Sequence, residues 1–293
     1  MGTLRAAIEG VVCIDGVVVP AADARVDALD RGFLYGDSAF EALRTYGRVP
    51  FRLGEHLARL AHSCARLRMA PPDLERIAAD TQRAVAESGL DECYLRIIVT
   101  RGAGAVGIDP AATGASSRLV YALPLRLPAP DVYARGIGVG LVHGARDLSL
   151  GGVKTGNYLA AVLAVASVRE RGAGEAVLLG PSGEVAEGAT SNVFVVRGGV
   201  VRTPPLSAGI LEGITRRVAL ELLRASGDVV EESLLFPPDL YRADEVFITS
   251  SIREVVPVVR VDDVDVRDGR PGPLTRRLME SYRAHTRGGR AGT

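Results

Sequence analysis

The stretch GGVKTGNYLAAVLA, residues 151–164, contains the only lysine of the chain, Lys154. Lysine and arginine together number 35, so every other one of these basic side chains is an arginine. Arginine stays protonated and cannot act as an amine nucleophile, whereas lysine can lose its proton and form a Schiff base. The glycines directly before Lys154 let the backbone approach a ligand closely. We therefore interpret Lys154 as a reactive amine, against the alternative that one lysine survived by chance on the surface.

The composition excludes several classes of partner. The chain has 293 residues, 47% of them hydrophobic, which is enough for one large domain or two modest ones. Its 35 acidic residues balance the 35 basic ones and no block of like charge occurs, so we expect no nucleic-acid partner. Apolar runs stay shorter than the roughly 18 residues that span a bilayer, so we expect no membrane insertion.

The cysteines and histidines indicate neither a disulfide framework nor a metal site. The cysteines are scattered and odd in number, and the N-terminus lacks the apolar segment of a secretory signal. The 4 histidines lie far apart, in no spacing that would bind zinc. We therefore expect a cytoplasmic protein without a bound metal.

Hydrophobic periodicity predicts an α+β fold of two domains, because strands and helices alternate without a regular βαβ rhythm. The spaced prolines of LRLPAP indicate an interdomain linker at 125–132, between a small N-terminal domain, 1–124, and a larger C-terminal domain, 133–293. In the first domain we predict a hairpin over 10–20, helices over 53–67 and 72–87, and strands over 93–100 and 117–125. In the second we predict strands over 136–142, 175–180, 192–196, 200–204 and 244–251, helices over 157–171, 214–226 and 274–285, and a disordered tail over 286–293.

An acidic residue stands between two hydrophobic strands in GEVAEGATSNVF, residues 183–194. The carboxylate of Glu187 in this position is suited to pair with the protonated ring nitrogen of a pyridine cofactor. The alternative is an ordinary turn acid at the end of a hairpin. The residue alone does not decide between the two interpretations.

Two further segments are suited to bind a phosphate. In GILEGITRR, residues 209–217, Gly213, Ile214 and Thr215 begin a helix, whose first N–H groups and dipole attract anions. The hydroxyl-rich sequence Thr249-Ser250-Ser251 and the charge of Arg59 could complete this phosphate site. The alternatives are an ordinary capped helix and a surface arginine.

Six ordered motifs together resemble the class IV, or fold type IV, pyridoxal-phosphate enzymes. This family includes branched-chain aminotransferases, D-amino acid aminotransferases and aminodeoxychorismate lyases. The resemblance covers nearly the whole chain, residues 14–282. The motifs are DRGFLYGDSAFEALRTY (30–46), EHLARL (55–60), VKTGNYL (153–159), EVAEGATSNVF (184–194), GILEGITR (209–216) and ADEVFITSSIREVVPV (243–258).

The resemblance implies a role for each candidate residue. Lys154 should bind pyridoxal 5′-phosphate covalently and transfer the substrate proton, and Glu187 should hydrogen-bond the pyridine nitrogen. Tyr158 should contact the ring hydroxyl, although many branched-chain enzymes have one more glycine between the lysine and this tyrosine. The phosphate should be held by Arg59, Gly213, Ile214, Thr215, Ser250 and Ser251.

The resemblance also implies a substrate pocket. Tyr94-Leu95-Arg96 matches the Tyr-x-Arg strand motif of branched-chain aminotransferases, and Arg44 matches a basic position of that group. Ala42 is ambiguous, since branched-chain enzymes often have glycine there and lyases threonine. The Arg-x-His carboxylate trap of the usual D-amino acid enzymes is missing from TRGAGAVGIDP (100–110). The expected pocket residues are Tyr35, Phe40, Tyr94, Arg96, Ser251 and Ile252.

The resemblance favours transamination between a branched-chain L-amino acid and 2-oxoglutarate. The alternatives are an aminotransferase of D-amino acids or (R)-amines and a lyase that releases pyruvate from aminodeoxychorismate. A pseudoenzyme is disfavoured because both Lys154 and Glu187 are present. The expected partners are small-molecule amino donors and keto acids, together with a second copy of the chain. In such a homodimer, the 101–110 loop should reach into the neighbouring active site.

Overall fold

The computed structural model describes residues 8–144 and 150–288, which divide into two units. Unit 1 contains residues 8–126 and Val153–Tyr158, and unit 2 contains the remaining described residues from Leu127 onward. The sequence assigned all of 133–293 to the C-terminal domain, so the place of Val153–Tyr158 in unit 1 differs from that assignment. Hydrogen bonding explains the difference, because this segment pairs with a strand of unit 1.

Unit 1 contains a six-stranded antiparallel sheet with the strand order β2-β1-β6-β5-β3-β4. The predicted hairpin is confirmed, with Asp15 and Gly16 at positive φ in the turn between its strands. The elements are β1 (Val11–Ile14), β2 (Val17–Pro20), α1 (Arg31–Tyr35), β3 (Ser38–Tyr46), β4 (Val49–Pro50), α2 (Leu53–Arg66), α3 (Leu74–Glu87), β5 (Cys93–Thr100) and β6 (Arg118–Pro124).

The core of unit 1 lies between one face of this sheet and the two long helices. Leu43 pairs with Leu95, and Ile97 pairs with Val120, in the register of the neighbouring strands. Paired residues point to the same face of a sheet, so these apolar side chains form one surface, and Leu60 of α2 packs against it. The opposite face of β3, β5 and β6 carries polar side chains, among them Arg96 and Tyr121, which pair with each other.

Two elements of unit 1 differ from the predictions. Helix α3 begins at Leu74 and not within the proline pair at 71–72, because the side chain of Asp73 accepts the N–H of Arg76 and caps the helix. Strand β3 was quoted only as part of a family motif and was not predicted as a strand. Eight of its nine residues are buried, so its sequence lacks the alternation that indicates a half-exposed strand.

Unit 2 contains a mixed sheet with the order β12-β11-β10-β13-β14-β7-β8-β9, and β15 pairs with β14. The pairs β11/β12, β14/β7 and β7/β8 are parallel and the others are antiparallel. The elements are α4 (Pro130–Arg135), β7 (Ile137–His143), α5 (Leu159–Arg169), β8 (Glu175–Leu179), β9 (Val185–Gly188), β10 (Asn192–Arg197), β11 (Val200–Thr203), α6 (Ile214–Ala225), β12 (Val229–Glu232), α7 (Pro237–Tyr241), β13 (Glu245–Ser250), β14 (Glu254–Val261), β15 (Val264–Asp265) and α8 (Pro273–Gly288).

Three helices of unit 2 depart from the predictions. Helix α5 begins at Leu159, two residues later than predicted, because the preceding residues belong to the segment that pairs with unit 1. Short helix α4 occupies part of the predicted linker. Helix α8 continues to Gly288, into the predicted disordered tail, and buries Tyr282 and Thr286. The rest of that tail, 289–293, lies outside the described residues.

Within residues 8–144 and 150–288, no helix is long and apolar enough to cross a membrane. The same residues contain no group of three or more His, Cys, Asp or Glu side chains arranged to hold a metal ion.

Candidate active site

The backbone of Lys154 is held on two sides within unit 1. Its carbonyl accepts the N–H of Phe40 at 2.9 Å, and its own N–H donates to Ser63 Oγ at 3.2 Å. Gly156 N–H donates to the Ser38 carbonyl at 2.9 Å, so the segment runs alongside β3. A Cβ at Gly156 would lie 2.3 Å from Ser38 Oγ, which explains the glycine at this position. The glycine-rich turn expected from the sequence ends before Lys154, and Lys154 itself belongs to a segment that is hydrogen-bonded to β3.

The amine of Lys154 lies beside two aromatic rings. Its Nζ is 4.5 Å from the centroid of the Phe40 ring and 6.0 Å from that of Tyr158. The two rings meet edge to face, with centroids 5.3 Å apart. The structure therefore brings together three residues that the sequence had singled out separately.

Phe40 also contacts Arg96, whose guanidinium carbon lies 3.9 Å from the ring centroid. Arg96 pairs with Ala42 on one side and with Tyr121 on the other, so these three side chains share the sheet face opposite the core. Burial raises the pKa of Tyr121, and the charge of Arg96 opposes that rise in part. The sequence missed Tyr121, because its place beside Arg96 depends on which strands pair.

Arg96 differs from most half-buried arginines in what surrounds it. No carboxylate in residues 8–144 and 150–288 forms a salt bridge with it. A half-buried guanidinium stacked on an aromatic ring presents a planar set of donors suited to a carboxylate. Arg44, which pairs with Tyr94 across β3 and β5, does have an acidic neighbour. Its Nη2 lies 3.8 Å from Glu92 Oε2, and its guanidinium lies over the ring of Tyr46.

Tyr35 belongs to a helix, whereas the residues with which the sequence grouped it in unit 1 belong to strands. It ends α1, and its hydroxyl accepts the N–H of Gly107 at 2.9 Å. The side chain of Arg31 donates to the Gly107 carbonyl at 2.7 Å and to Asp37 at 3.0 Å. Tyr35 and Arg31 therefore hold the 101–110 loop.

Arg59 is paired with a buried carboxylate and is not a surface arginine. Its Nε and Nη2 donate to the two oxygens of Glu41 at 2.8 and 2.7 Å, and His56 Nδ1 lies 2.7 Å from the second oxygen. Burial alone would raise the pKa of Glu41, but the charge of Arg59 and the hydrogen bonds from Arg59 and His56 lower it to about 2. The sequence missed Glu41 and His56, since nothing in their spacing shows that both face Arg59.

In unit 2, Glu187 lies within strand β9, paired with Leu178, so it is not a turn acid. It is half-buried, and its carboxylate accepts the N–H of Leu211 at 2.9 Å. The carbonyl of Leu211 accepts from the side-chain amide of Asn192 at 3.0 Å. Both the N–H and the carbonyl of Leu211 therefore help to place the segment that leads into α6.

The start of α6 lies against the same face of the sheet. Gly213 is the N-cap, and a Cβ there would lie 2.0 Å from Asn192 Oδ1. Asn192 pairs with Thr249 across β10 and β13, so the Thr249 side chain points to this face too. Its hydroxyl is buried and has no hydrogen-bond partner among the described residues. Buried hydroxyls normally have a partner, so the Thr249 hydroxyl is an unused hydrogen-bonding group close to the start of α6.

The first turn of α6 and the end of β13 supply the other predicted phosphate residues. Ile214 and Thr215 are buried in the first turn, where backbone N–H groups have no partner within the helix. Ser250 is the last residue of β13, and its hydroxyl accepts from Arg253. Ser251 and Ile252 follow in the turn and are half-buried.

That turn is held by a buried ion pair. Glu175, 1% exposed, accepts from Arg253 Nη2 and from Thr190 Oγ1, the latter at 2.9 Å. Arg253 Nη2 also donates to Thr190 Oγ1 at 2.8 Å. Arg253 therefore connects the turn that carries Ser251 to the turn that follows Glu187.

These residues fit a pyridoxal phosphate group. Within unit 1 the fitting group is the amine of Lys154. Within unit 2, taken by itself, the fitting groups are the Glu187 carboxylate, a helix N-terminus and the buried hydroxyl of Thr249. An amine can bind an aldehyde, a carboxylate can pair with a protonated ring nitrogen, and N–H and O–H donors can bind a phosphate.

Comparison with known proteins agrees with this chemistry. The family model of amino-transferase class IV matches residues 38–261. The chain therefore belongs to the class IV aminotransferases, and it is a pyridoxal-phosphate-dependent aminotransferase. A putative branched-chain-amino-acid aminotransferase of Methanocaldococcus jannaschii is 36% identical over 93% of this chain and 95% of its own length.

Two further relatives bear on the fold and the substrate. The T.th. branched-chain amino acid aminotransferase, solved as a complex with N-(5′-phosphopyridoxyl)-L-glutamate, superposes with a TM-score of 0.88. It is 32% identical, over 96% of this chain and 95% of that one, which confirms the predicted fold type IV. A D-alanine aminotransferase of Bacillus licheniformis is 32% identical over 92% of this chain and 94% of its own length.

We predict that Glu175→Gln destabilises the protein by about 3 kcal/mol, because it leaves Arg253 partly buried without its charge partner. The expected fall in the thermal unfolding midpoint is about 6–12 °C. The double variant Glu175→Gln/Arg253→Met should lose less than Glu175→Gln alone. Glu231→Gln removes the exposed partner of Arg202 in the same unit and serves as the control, with an expected loss below about 1 kcal/mol. Equal losses in Glu175→Gln and the control would contradict the structural role.

Proposed function

We propose that this aminotransferase transfers the amino group of a branched-chain L-amino acid to 2-oxoglutarate. One observation carries the proposal. The ring of Phe40 is close to both the Lys154 amine and the Arg96 guanidinium, whose Nζ and Cζ atoms lie 4.5 and 3.9 Å from the ring centroid. An apolar surface beside the amine suits an aliphatic side chain. A guanidinium that meets no carboxylate within the described part of the chain suits the second carboxylate of a dicarboxylic acid.

Each candidate residue has a role in handling the cofactor. When bound, pyridoxal phosphate supplies an electron-withdrawing ring that stabilises negative charge at the substrate Cα. Lys154 Nζ would hold the cofactor through its aldehyde carbon. Once the donor amino group has replaced it there, the freed amine would take the proton from the substrate Cα. The Glu187 carboxylate would keep a proton on the pyridine nitrogen, and Tyr158 would hold the ring hydroxyl. The phosphate would be bound by the predicted residues Arg59, Gly213, Ile214, Thr215, Ser250 and Ser251, and we add the buried hydroxyl of Thr249 to this set.

The acceptor is proposed from Arg96 and its neighbours. The hydroxyls of Tyr94 and Tyr121 lie on the face that carries Arg96 and can add hydrogen bonds to a carboxylate. The T.th. relative was solved with a glutamate derivative of the cofactor, which is consistent with a dicarboxylic partner.

A D-amino acid substrate is the second candidate, favoured by the similarity to D-alanine aminotransferase. The arginine nearest in sequence to the missing Arg-x-His trap is Arg101. Its guanidinium is already used, donating to Asp37 at 2.7 Å and to the carbonyls of Leu67 and Arg68. This occupied state argues against Arg101 as a carboxylate trap, so the branched-chain substrate is preferred. Aminodeoxychorismate lyase activity is tested by a separate assay of pyruvate release.

We expect L-leucine to convert the cofactor-loaded enzyme rapidly, with D-alanine and (R)-1-phenylethylamine slower by at least about 100-fold, since a wrong stereocentre misplaces the reacting hydrogen. The measurement is a stopped-flow record of the visible absorbance of the Lys154-bound cofactor after mixing with each donor. Release of pyruvate from aminodeoxychorismate is assayed separately. Faster conversion by D-alanine or by the amine would overturn the proposed substrate.

Lys154→Arg is the matched control for that experiment. It keeps the positive charge but removes the amine that binds the cofactor and moves the proton. No donor should be turned over by this variant, and turnover at the wild-type rate would contradict the role of Lys154.

We predict that Arg96→Gln raises the KM for 2-oxoglutarate about 10- to 100-fold, because a charge-assisted hydrogen bond to a carboxylate is lost. The KM for L-leucine should change less than about threefold, since its side chain carries no charge. Steady-state kinetics with each substrate varied would measure both. Arg118→Gln, in the neighbouring strand of the same sheet, removes a partner of Asp80 and is the control. A parallel rise in both KM values would count against the proposed acceptor.

We propose a homodimer on the basis of exposed apolar residues. Leu159, Val162 and Leu163 of α5 are 70%, 56% and 60% exposed, and Ile108 in the 101–110 loop is 87% exposed. Apolar surface of this kind in a folded protein indicates an interface. Sedimentation velocity should give twice the chain mass, and an active monomer would contradict the proposal.

A cytoplasmic location is also proposed. All three cysteines, Cys13, Cys64 and Cys93, are buried and free in the structure, which supports a reducing compartment.

A further inference from the structure

The most heavily buried carboxylate of unit 1 belongs to Glu41, whose side chain is 0% exposed. Three hydrogen bonds surround it. Two come from the Nε and Nη2 of Arg59, and the third comes from His56 Nδ1. His56 and Arg59 lie three residues apart on α2, so both face the same strand, β3. The three residues form one network, which we call the Glu41 cluster.

The pairing of Arg59 with Glu41 is bidentate, and this sets the plane of the guanidinium. Two parallel hydrogen bonds to one carboxylate allow a single orientation, whereas one bond would leave the group free to rotate. The bonds use Nε and Nη2, so the opposite edge, with Nη1, is directed away from Glu41. The side chain of Arg59 is 9% exposed, which leaves it little room to reorient.

The cluster is not built to maximise positive charge. Glu41 is ionised in the neutral range, because the charge and hydrogen bonds of Arg59, together with the hydrogen bond of His56, lower its pKa to about 2 against the opposing effect of burial. Burial lowers the pKa of His56, so His56 remains neutral and donates a hydrogen bond. The charges of Arg59 and Glu41 therefore cancel. An arginine whose task was only to attract an anion would do better without such a neighbour, so the pair contributes orientation.

The same helix face also reaches the reactive lysine. Ser63, one turn beyond Arg59 on α2, accepts the backbone N–H of Lys154 at 3.2 Å. The Glu41 cluster connects α2 to β3 by hydrogen bonds. Strand β3 also bonds to the Lys154 segment, because Phe40 N–H donates to the Lys154 carbonyl and the Ser38 carbonyl accepts Gly156 N–H. The position of Arg59 relative to Lys154 within unit 1 is therefore determined by the cluster.

We infer that Glu41, supported by His56, is a positioning residue that orients Arg59 toward the phosphate of the cofactor. The inference rests on the proposed role of Arg59 as a phosphate ligand. It assigns to Glu41 no contact with the cofactor or the substrate, and its effect passes through Arg59 alone.

The test compares pyridoxal phosphate with pyridoxal, which has the same ring and aldehyde but no phosphate. Full-length protein is freed of cofactor by treatment with hydroxylamine, which releases the aldehyde from Lys154, followed by dialysis. Both dissociation constants are then measured by absorbance titration. Glu41→Gln should weaken pyridoxal phosphate binding about tenfold or more, because a buried amide cannot accept both arginine donors. Pyridoxal binding should change less than about threefold. His56→Asn, which keeps a donor for Glu41, should bind pyridoxal phosphate more tightly than His56→Ala.

The matched control is Asp80→Asn, which removes the charge of another buried carboxylate in unit 1, bonded to Arg118 at 2.7 Å. It should leave the ratio of the two constants unchanged. Tighter pyridoxal phosphate binding in Glu41→Gln would overturn the inference, because it would show that the carboxylate acts only by repelling the phosphate. Equal weakening of both ligands would also overturn it, in favour of a general structural role.

Arg59→Gln separates this inference from the proposed function. The deciding quantity is the dissociation constant of pyridoxal divided by that of pyridoxal phosphate. If this ratio falls in Arg59→Gln but keeps its wild-type value in Glu41→Gln, the role of Glu41 is rejected and that of Arg59 is retained. An unchanged ratio in Arg59→Gln would reject the phosphate role of Arg59 and the inference with it. Neither measurement uses an amino donor, so an error in the proposed substrate leaves the result intact.

Discussion

The backbone of Lys154 is the constraint on which the chemistry of unit 1 depends. Its carbonyl bonds to Phe40 in β3 and its N–H bonds to Ser63 in α2, so a sheet and a helix position it together. A loop lysine would have many accessible positions, whereas this one has its Nζ 4.5 Å from the Phe40 ring. Groups held by packed elements keep their geometry during a reaction, and a reactive amine requires this.

Unit 2 shows the same principle at Leu211. Its N–H is bound by Glu187 and its carbonyl by Asn192, so two side chains from different strands determine where α6 begins. Asn192 also leaves no space for a side chain at Gly213. The carboxylate proposed for the ring nitrogen and the helix N-terminus proposed for the phosphate are therefore placed by one short segment.

Arginine performs three different tasks in this chain, and its surroundings distinguish them. Arg253 is bonded to the buried Glu175 and holds a turn, and Arg59 is bonded to Glu41 and is itself held in one orientation. Arg96 stacks on Phe40 and, among the described residues, has no carboxylate partner. A buried charge is costly unless it is paired, so of these three guanidinium groups that of Arg96 is the one most suited to bind an acidic substrate.

The sequence by itself determined the family and most of the regular elements, and it supplied the prediction of a reactive lysine. A single lysine among arginines indicated Lys154, and strands such as Cys93–Thr100 appear in the structure with the predicted bounds. Only the tertiary structure decided which residues surround that lysine. Glu41, Tyr121 and Asn192 acquire their roles through strand register and helix packing, which join residues far apart in the chain. Local periodicity carries no information about such pairings, because it describes the face of one element and not its neighbour.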